Sequence, residues 1–256
     1  MKVALFITCL TDTFYPRTGI AVVKVLEKLG HSVEFPQGQT CCGQPMFNNG
    51  FHDEARELAR RMIEVFEASE VVVTPSGSCA AMIRENFHEL FHGDPQWEKR
   101  SNALAAKTYD FVEFLVKVLK VDLKQLNAKW DGHVTYHYSC HLRGLGVTNE
   151  TPVMLSQIDG VKYTPLEKMD QCCGFGGTFA IKYPQISGTM SRDKVECISR
   201  SGASIVVSND AGCTMNIAGS CRRENKPVAF KHAAELIAES MGLLDRHDDP
   251  VCGTTG

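Results

Sequence analysis

Residues 171–178 read Gln-Cys-Cys-Gly-Phe-Gly-Gly-Thr, and residues 40–45 read Thr-Cys-Cys-Gly-Gln-Pro. Two adjacent cysteines running into glycine suit ligation or redox work better than core packing. The spacing of the other cysteines turns the two loops into a repeat. Cys9 to Cys41 and Cys140 to Cys172 are both 32 positions apart, and a further cysteine follows each pair, Cys79 in one copy and Cys213 in the other. The flanks agree: Val71-Val72-Val73-Thr74-Pro75-Ser76-Gly77-Ser78-Cys79 lies over Ile205-Val206-Val207-Ser208-Asn209-Asp210-Ala211-Gly212-Cys213. Chance is a poor explanation for two such sets.

Four cysteines per copy can hold an iron–sulfur cluster, whose irons take thiolates, usually four. The sulfurs then need N–H donors, which a glycine loop (Gly43; Gly174, Gly176, Gly177) and a helix N-terminus supply. Zinc also takes four thiolates, but its usual Cys-x-x-Cys knuckles are absent from the chain. A thiol–disulfide enzyme without metal is the third reading, since a disulfide between adjacent cysteines is strained and redox-labile. Neither a P-loop nor a Gly-x-Gly-x-x-Gly motif is present, so no bound NAD, flavin or ATP is expected.

The elements that position these residues alternate. Short apolar or β-branched runs at 3–9, 32–35, 71–73, 134–140, 161–164, 204–208 and 228–230 read as strands. Residues 19–29, 52–69, 87–129 with a break at Asp94-Pro95, 151–158, 184–201 and 232–241 read as helices, with others starting near Cys79 and near 210–213. The order predicts an α/β fold of two repeats with mainly parallel sheets, flanking helices and right-handed crossovers. The expected division is residues 1–130, 131–245 and a loose polar tail, 246–256, that carries Cys252. All four cysteine positions of each repeat would then lie at the carboxyl ends of strands, where open parallel sheets gather their sites.

Composition sets wider bounds. A chain of 256 residues with 43% hydrophobic and 22% charged residues is ordinary for a globular protein. A net charge of −3 gives no general pull toward nucleic acid or an anionic membrane. No apolar run reaches a membrane span of roughly 18–20 residues. The mildly signal-like first residues have too short an apolar run for export, so a reducing cytoplasm is expected. There, eleven cysteines read as metal or redox sites rather than disulfides.

At Cys41-Cys42-Gly43-Gln44-Pro45, Pro75-Ser76-Gly77-Ser78-Cys79 and residues 172–179, Cys-Cys-Gly-Phe-Gly-Gly-Thr-Phe, the chain resembles the cysteine-rich CCG-domain family. That family includes the cysteine-rich component of heterodisulfide reductase, the iron–sulfur subunits of glycolate and anaerobic glycerol-3-phosphate dehydrogenases and, more nearly, the lactate utilization proteins. The likeness runs from residue 1 to about 242. It implies two α/β domains related by a pseudo-two-fold. It also implies an iron–sulfur electron-transfer subunit of a cytoplasmic system oxidising L-lactate to pyruvate, an oxidoreductase component whose own catalytic role stays open. Its partners would be a ferredoxin-like iron–sulfur protein and a third small subunit. Carried over, the ligands are Cys9, Cys41, Cys42 and Cys79 for one cluster and Cys140, Cys172, Cys173 and Cys213 for the other, with 4Fe–4S the expected type. Heterodisulfide reductase and a non-catalytic zinc scaffold are the alternative functions. The fullest family pattern has a fifth cysteine where this chain has Ser76 and Asp210; both suit helix N-caps better than ligation. His133, His137 and His141 near Cys140 read as polar neighbours of a cluster, with a ligand or proton-carrier role as the alternative. Arg143 reads as a surface arginine rather than a carboxylate clamp. Cys197 and Cys221 read as packing residues.

Overall fold

A computed structural model describes residues 1–247; Cys252 lies outside the described residues. Strands β1 (Lys2–Leu5), β2 (Ser32–Glu34), β3 (Val71–Thr74) and β4 (Thr108–Asp110) form one sheet, in the order β2-β1-β3-β4. Strands β5 (Lys129–His137), β6 (Asp159–Tyr163), β7 (Ile205–Ser208) and β8 (Ala229–His232) form a second, in the matching order β6-β5-β7-β8. Every strand pairing is parallel. The protein is therefore α/β, with one topology used twice and helices on the flanks.

The central strands β3 and β7 are buried at every residue, as Val-Val-Val-Thr and Ile-Val-Val-Ser should be when helices cover both faces. The Pro16–Lys28 helix starts with proline in its first turn and buries Ala21, Val22, Val25 and Leu26. Its partner is the Ala233–Ser240 helix of the other half. One apolar core runs through both halves, joining Val3, Val22 and Phe111 to Tyr136, Leu142 and Leu236.

Two sequence expectations are corrected. Residues 87–129 are interrupted not only at Asp94-Pro95, as expected, but also by a strand. The Pro95–Ala105 helix, capped by Asp94, is followed by β4 and then by a helical run from Phe111 to Val118. A three-residue edge strand, Thr-Tyr-Asp, is too short to show a period. The helix after it starts on Asp110, whose carboxylate and the Glu113 side chain form a reciprocal capping box. The second correction concerns strand ends. β5 begins at Lys129, not Val134, with a register shift against β6 before Gly132. β1 and β5 also stop short of Cys9 and Cys140, which instead open the short Cys9–Phe14 and Cys140–Gly144 helices.

Asp110 yields the first expected outcome. It is 1% exposed. Its Oδ1 accepts from the N–H groups of Val112 (3.0 Å) and Glu113 (3.3 Å), but Oδ2 has no partner. Burial pushes its pKa up from 3.8 to about 7. The folded state thus holds this proton more tightly than the unfolded chain. Its stabilising effect is complete below pH 3.8 and is lost as pH rises to about 7. Asp110→Asn keeps the cap without the charge. Its stability advantage over wild type should grow by up to about 1.4 kcal/mol per pH unit between pH 5 and 7, then level off. Denaturant melts across that range check this, and a constant difference would contradict the assignment.

Candidate metal centres

Each Cys-Cys-Gly loop turns on a left-handed glycine, Gly43 at φ 86° and Gly174 at φ 84°. A β-carbon at Gly174 would lie 2.8 Å from the Ser187 carbonyl oxygen, and one at Gly43 would lie 3.3 Å from that of Ala55. Only glycine lets the loop lie so close to the next helix while taking this conformation. The turn aims backbone N–H groups at sulfur. The Gly174 N–H is 3.4 Å from Cys172 Sγ, and the Phe175 N–H is 3.5 Å from Cys173 Sγ. In the first half the Gly43 N–H donates to Cys41.

The remaining cysteines arrive from the carboxyl ends of the first and third strands of each sheet. Ser76 caps the Gly77–Ala81 helix, accepting from the Cys79 N–H at 3.4 Å. Asp210 caps the Ala211–Arg223 helix, accepting from the Gly212 N–H at 3.2 Å. Both therefore act as the N-caps their sequence positions suggest. Beyond that, they meet each other. Asp210 Oδ2 accepts from the Ser76 hydroxyl (3.2 Å) and from the Ser78 N–H (2.9 Å), so the equivalent helix starts of the two halves are tied together.

All eight cysteines come together as two quartets. In the first, thiol contacts run from Cys9 to Cys41, Cys41 to Cys42 and Cys42 to Cys79, the last with sulfurs 3.4 Å apart. In the second they run from Cys140 to Cys172, Cys172 to Cys173 and Cys173 to Cys213. None of these eight cysteines is in a disulfide. Within each quartet the inner pair is buried and the rest are more open: Cys42, Cys79, Cys173 and Cys213 are buried, Cys41, Cys140 and Cys172 half-buried, and Cys9 exposed. Both quartets line one cleft of about 570 Å³ between the halves, together with Gln44, His141, Phe175, Ile181 and Asn216.

Charge is shared unevenly within each quartet. Thiols donated by Cys42 and Cys9 hold the Cys41 pKa down to about 3. Cys140 and Cys173 do the same for Cys172, down to about 2. The donating thiols shift the opposite way. Cys9, Cys42, Cys140 and Cys173 are pushed far up by those hydrogen bonds, by burial and by neighbouring sulfur charge. One thiolate per quartet is favourable; four would repel one another unless metal charge sat among them. The donor set of soft sulfurs with N–H groups behind them fits an iron–sulfur centre.

The weaker candidates separate clearly. His133 bonds Thr164 Oγ1 at 2.8 Å, away from the cleft. His141 lines the cleft between Gln44 Nε2 (3.3 Å) and Cys140 Sγ (3.7 Å). Arg143 donates to the Asp170 carbonyl at 2.7 Å on the surface and does not line the cleft. Cys197 and Cys221 pack in the core of the second half. His137 is the residue whose weight the sequence did not convey. It is 1% exposed, and burial lowers its pKa to about 3, so it is neutral. Its ring sits against Cys173 and Cys213. Lys194 is equally buried behind the loop, its ammonium 2.9 Å from the Lys168 carbonyl oxygen.

A family model described as the CCG cysteine-rich domain matches residues 3–84 and 134–218. The chain belongs to the CCG cysteine-rich domain family. The two matches fall on the two halves, and each contains one quartet. Among curated relatives, lactate utilization protein A of Bacillus licheniformis is 47% identical, the match covering 93% of this chain and 99% of the relative. Lactate utilization protein A of Geobacillus kaustophilus is also 47% identical, over 93% of this chain and 98% of the relative. Lactate utilization protein A 2 of Bacillus cereus is 44% identical, over 94% and 99%. A hypothetical protein from Helicobacter pylori has a similar fold, with TM-score 0.66 at 12% identity; the match covers 94% of this chain but only 49% of that one. Among the described residues, no helix is long and apolar enough to cross a membrane.

Proposed function

We propose that the chain is the iron–sulfur redox subunit of a cytoplasmic system that oxidises L-lactate to pyruvate. It would hold one 4Fe–4S cluster on Cys9, Cys41, Cys42 and Cys79 and another on Cys140, Cys172, Cys173 and Cys213. The observation that carries this reading is the convergence of two thiol quartets on one cleft. The names of the 44–47% identical relatives support lactate as the metabolic context. A bound cluster supplies one-electron transfer at a potential set by its charge and its hydrogen bonds. The chain's own contribution is to hold the sulfurs, stabilise their charge with the Gly43, Gly174 and Phe175 N–H groups, and shield the inner pair from water. A ferredoxin-like iron–sulfur protein and a third small subunit are the proposed partners.

The test is purification without air. The expected result is a brown protein containing iron and acid-labile sulfide, whose clusters are reduced when L-lactate is added with the two partner subunits. Stoichiometric zinc without sulfide would overturn the cluster reading and favour a scaffold. Clusters oxidised by a small disulfide, yet indifferent to lactate and partners, would favour a disulfide reductase, which the open cleft beside both quartets could serve.

A further inference from the structure

Residue 137 is one buried position at which the surroundings of the two quartets differ. His137 ends β5, and neither of its ring nitrogens has a hydrogen-bond partner. An imidazole carries one N–H and one lone pair, and leaving both unmatched in a dry interior is costly. A ring nitrogen, Cys173 Sγ and Cys213 Sγ all lie within 4.8 Å of one another. A metal atom with sulfur ligands at about 2.3 Å and nitrogen at about 2.0 Å draws its donors this close together.

The repeat supplies the control. Cys140 corresponds to Cys9, and the residue three before each is His137 in the second half and Phe6 in the first. Phe6 is fully buried and packs edge-on against Phe66, with ring centroids 5.7 Å apart. The fold therefore accepts an apolar ring at this place, and packing alone does not call for the imidazole.

We infer that His137 is a nitrogen ligand of the metal centre held by the second quartet, so that one half carries a thiolate-only centre and the other a mixed thiolate–imidazole centre. The inference rests on the metal-site reading of the second quartet. Where the imidazole takes the place of a thiolate at an iron it removes a negative charge, and such replacement raises cluster potentials. The second centre is thus the better electron acceptor of the two, which gives transfer within the molecule a direction, from the first half to the second.

Pulsed EPR on the reduced full chain, purified without air, tests the assignment. The wild type should show the hyperfine coupling of a directly bound nitrogen. His137→Phe, which copies the first half, and His137→Gln should both lose it while the signal of the first centre persists. The midpoint potential of the second centre should fall in both variants. Full iron content in the wild type without bound-nitrogen coupling would overturn the inference and leave the cluster reading standing. If the chain proves to hold no iron, that reading fails instead. Cobalt(II) added to the metal-free chain then decides the ligand question: visible bands that differ between wild type and His137→Phe support it, and identical bands overturn it. Equal melting temperatures of the metal-free proteins would separate a lost ligand from a lost fold.

Discussion

Cys173→Ser should lose the metal of the second half and keep that of the first, so that about half the iron and sulfide remains. Cys42→Ser should do the reverse. These two are the buried second members of the pairs, 3% and 2% exposed, and each contacts two other sulfurs of its quartet. Serine offers a hard, weakly acidic oxygen in place of a soft thiolate, so it cannot hold iron in the same way. Iron and sulfide analysis on protein purified without air, with EPR to say which signal survives, reads the result. Loss of all metal from either variant would mean that the quartets share one centre across the cleft. Full retention in both would remove the pairs from the ligand set.

The second large effect is structural. Glu239→Ala should destabilise the fold by about 3–5 kcal/mol. The Glu239 side chain is 1% exposed and joins three elements. Its Oε1 accepts from Lys231 Nζ (2.8 Å) and from Arg17 Nη2 (3.1 Å), and its Oε2 accepts from Trp130 Nε1 (3.0 Å). Burial would raise its pKa, but the Lys231 hydrogen bond and charge outweigh this and hold it below the usual value. Truncation strands the Lys231 ammonium, whose side chain is only 3% exposed, with the His247 carbonyl as its remaining acceptor. Arg17 belongs to the first half, so the same truncation cuts a tie between the two. Glu239→Gln keeps an acceptor for Trp130 and should cost less. An alanine variant that melts within about 1 kcal/mol of wild type, little more than an ordinary surface substitution, would show that the network contributes little.

Much of this was legible in the sequence, for identifiable reasons. Val71–Val73 and Ile205–Val207 are β-branched runs bounded by turn residues, so the central strands stand out. Pro184 and Gly202 bracket the Pro184–Ser201 helix, so both of its ends can be read directly. The cysteine intervals expose the repeat because 32 positions separate Cys9 from Cys41 and Cys140 from Cys172 alike. What stays hidden is either short or non-local. β4 is three residues between helices, and no period fits into three. The meeting of Ser76 with Asp210 depends on how two halves dock, which no local pattern encodes. In the sequence His137 looks like any histidine beside a cysteine. Its weight comes from total burial and two unsatisfied nitrogens, and only the assembled site supplies those.

The grading of each quartet from open to buried sulfurs bears on how electrons would leave the proposed clusters. Behind the inner pair stand the sheets and their helices, a thick insulating wall. On the other side Cys9, Cys41, Cys140 and Cys172 reach solvent through the shared mouth. With the proposed clusters in place, tunnelling, which weakens with distance, would discharge both halves most easily through that opening, and a docking protein seated there would meet both at once.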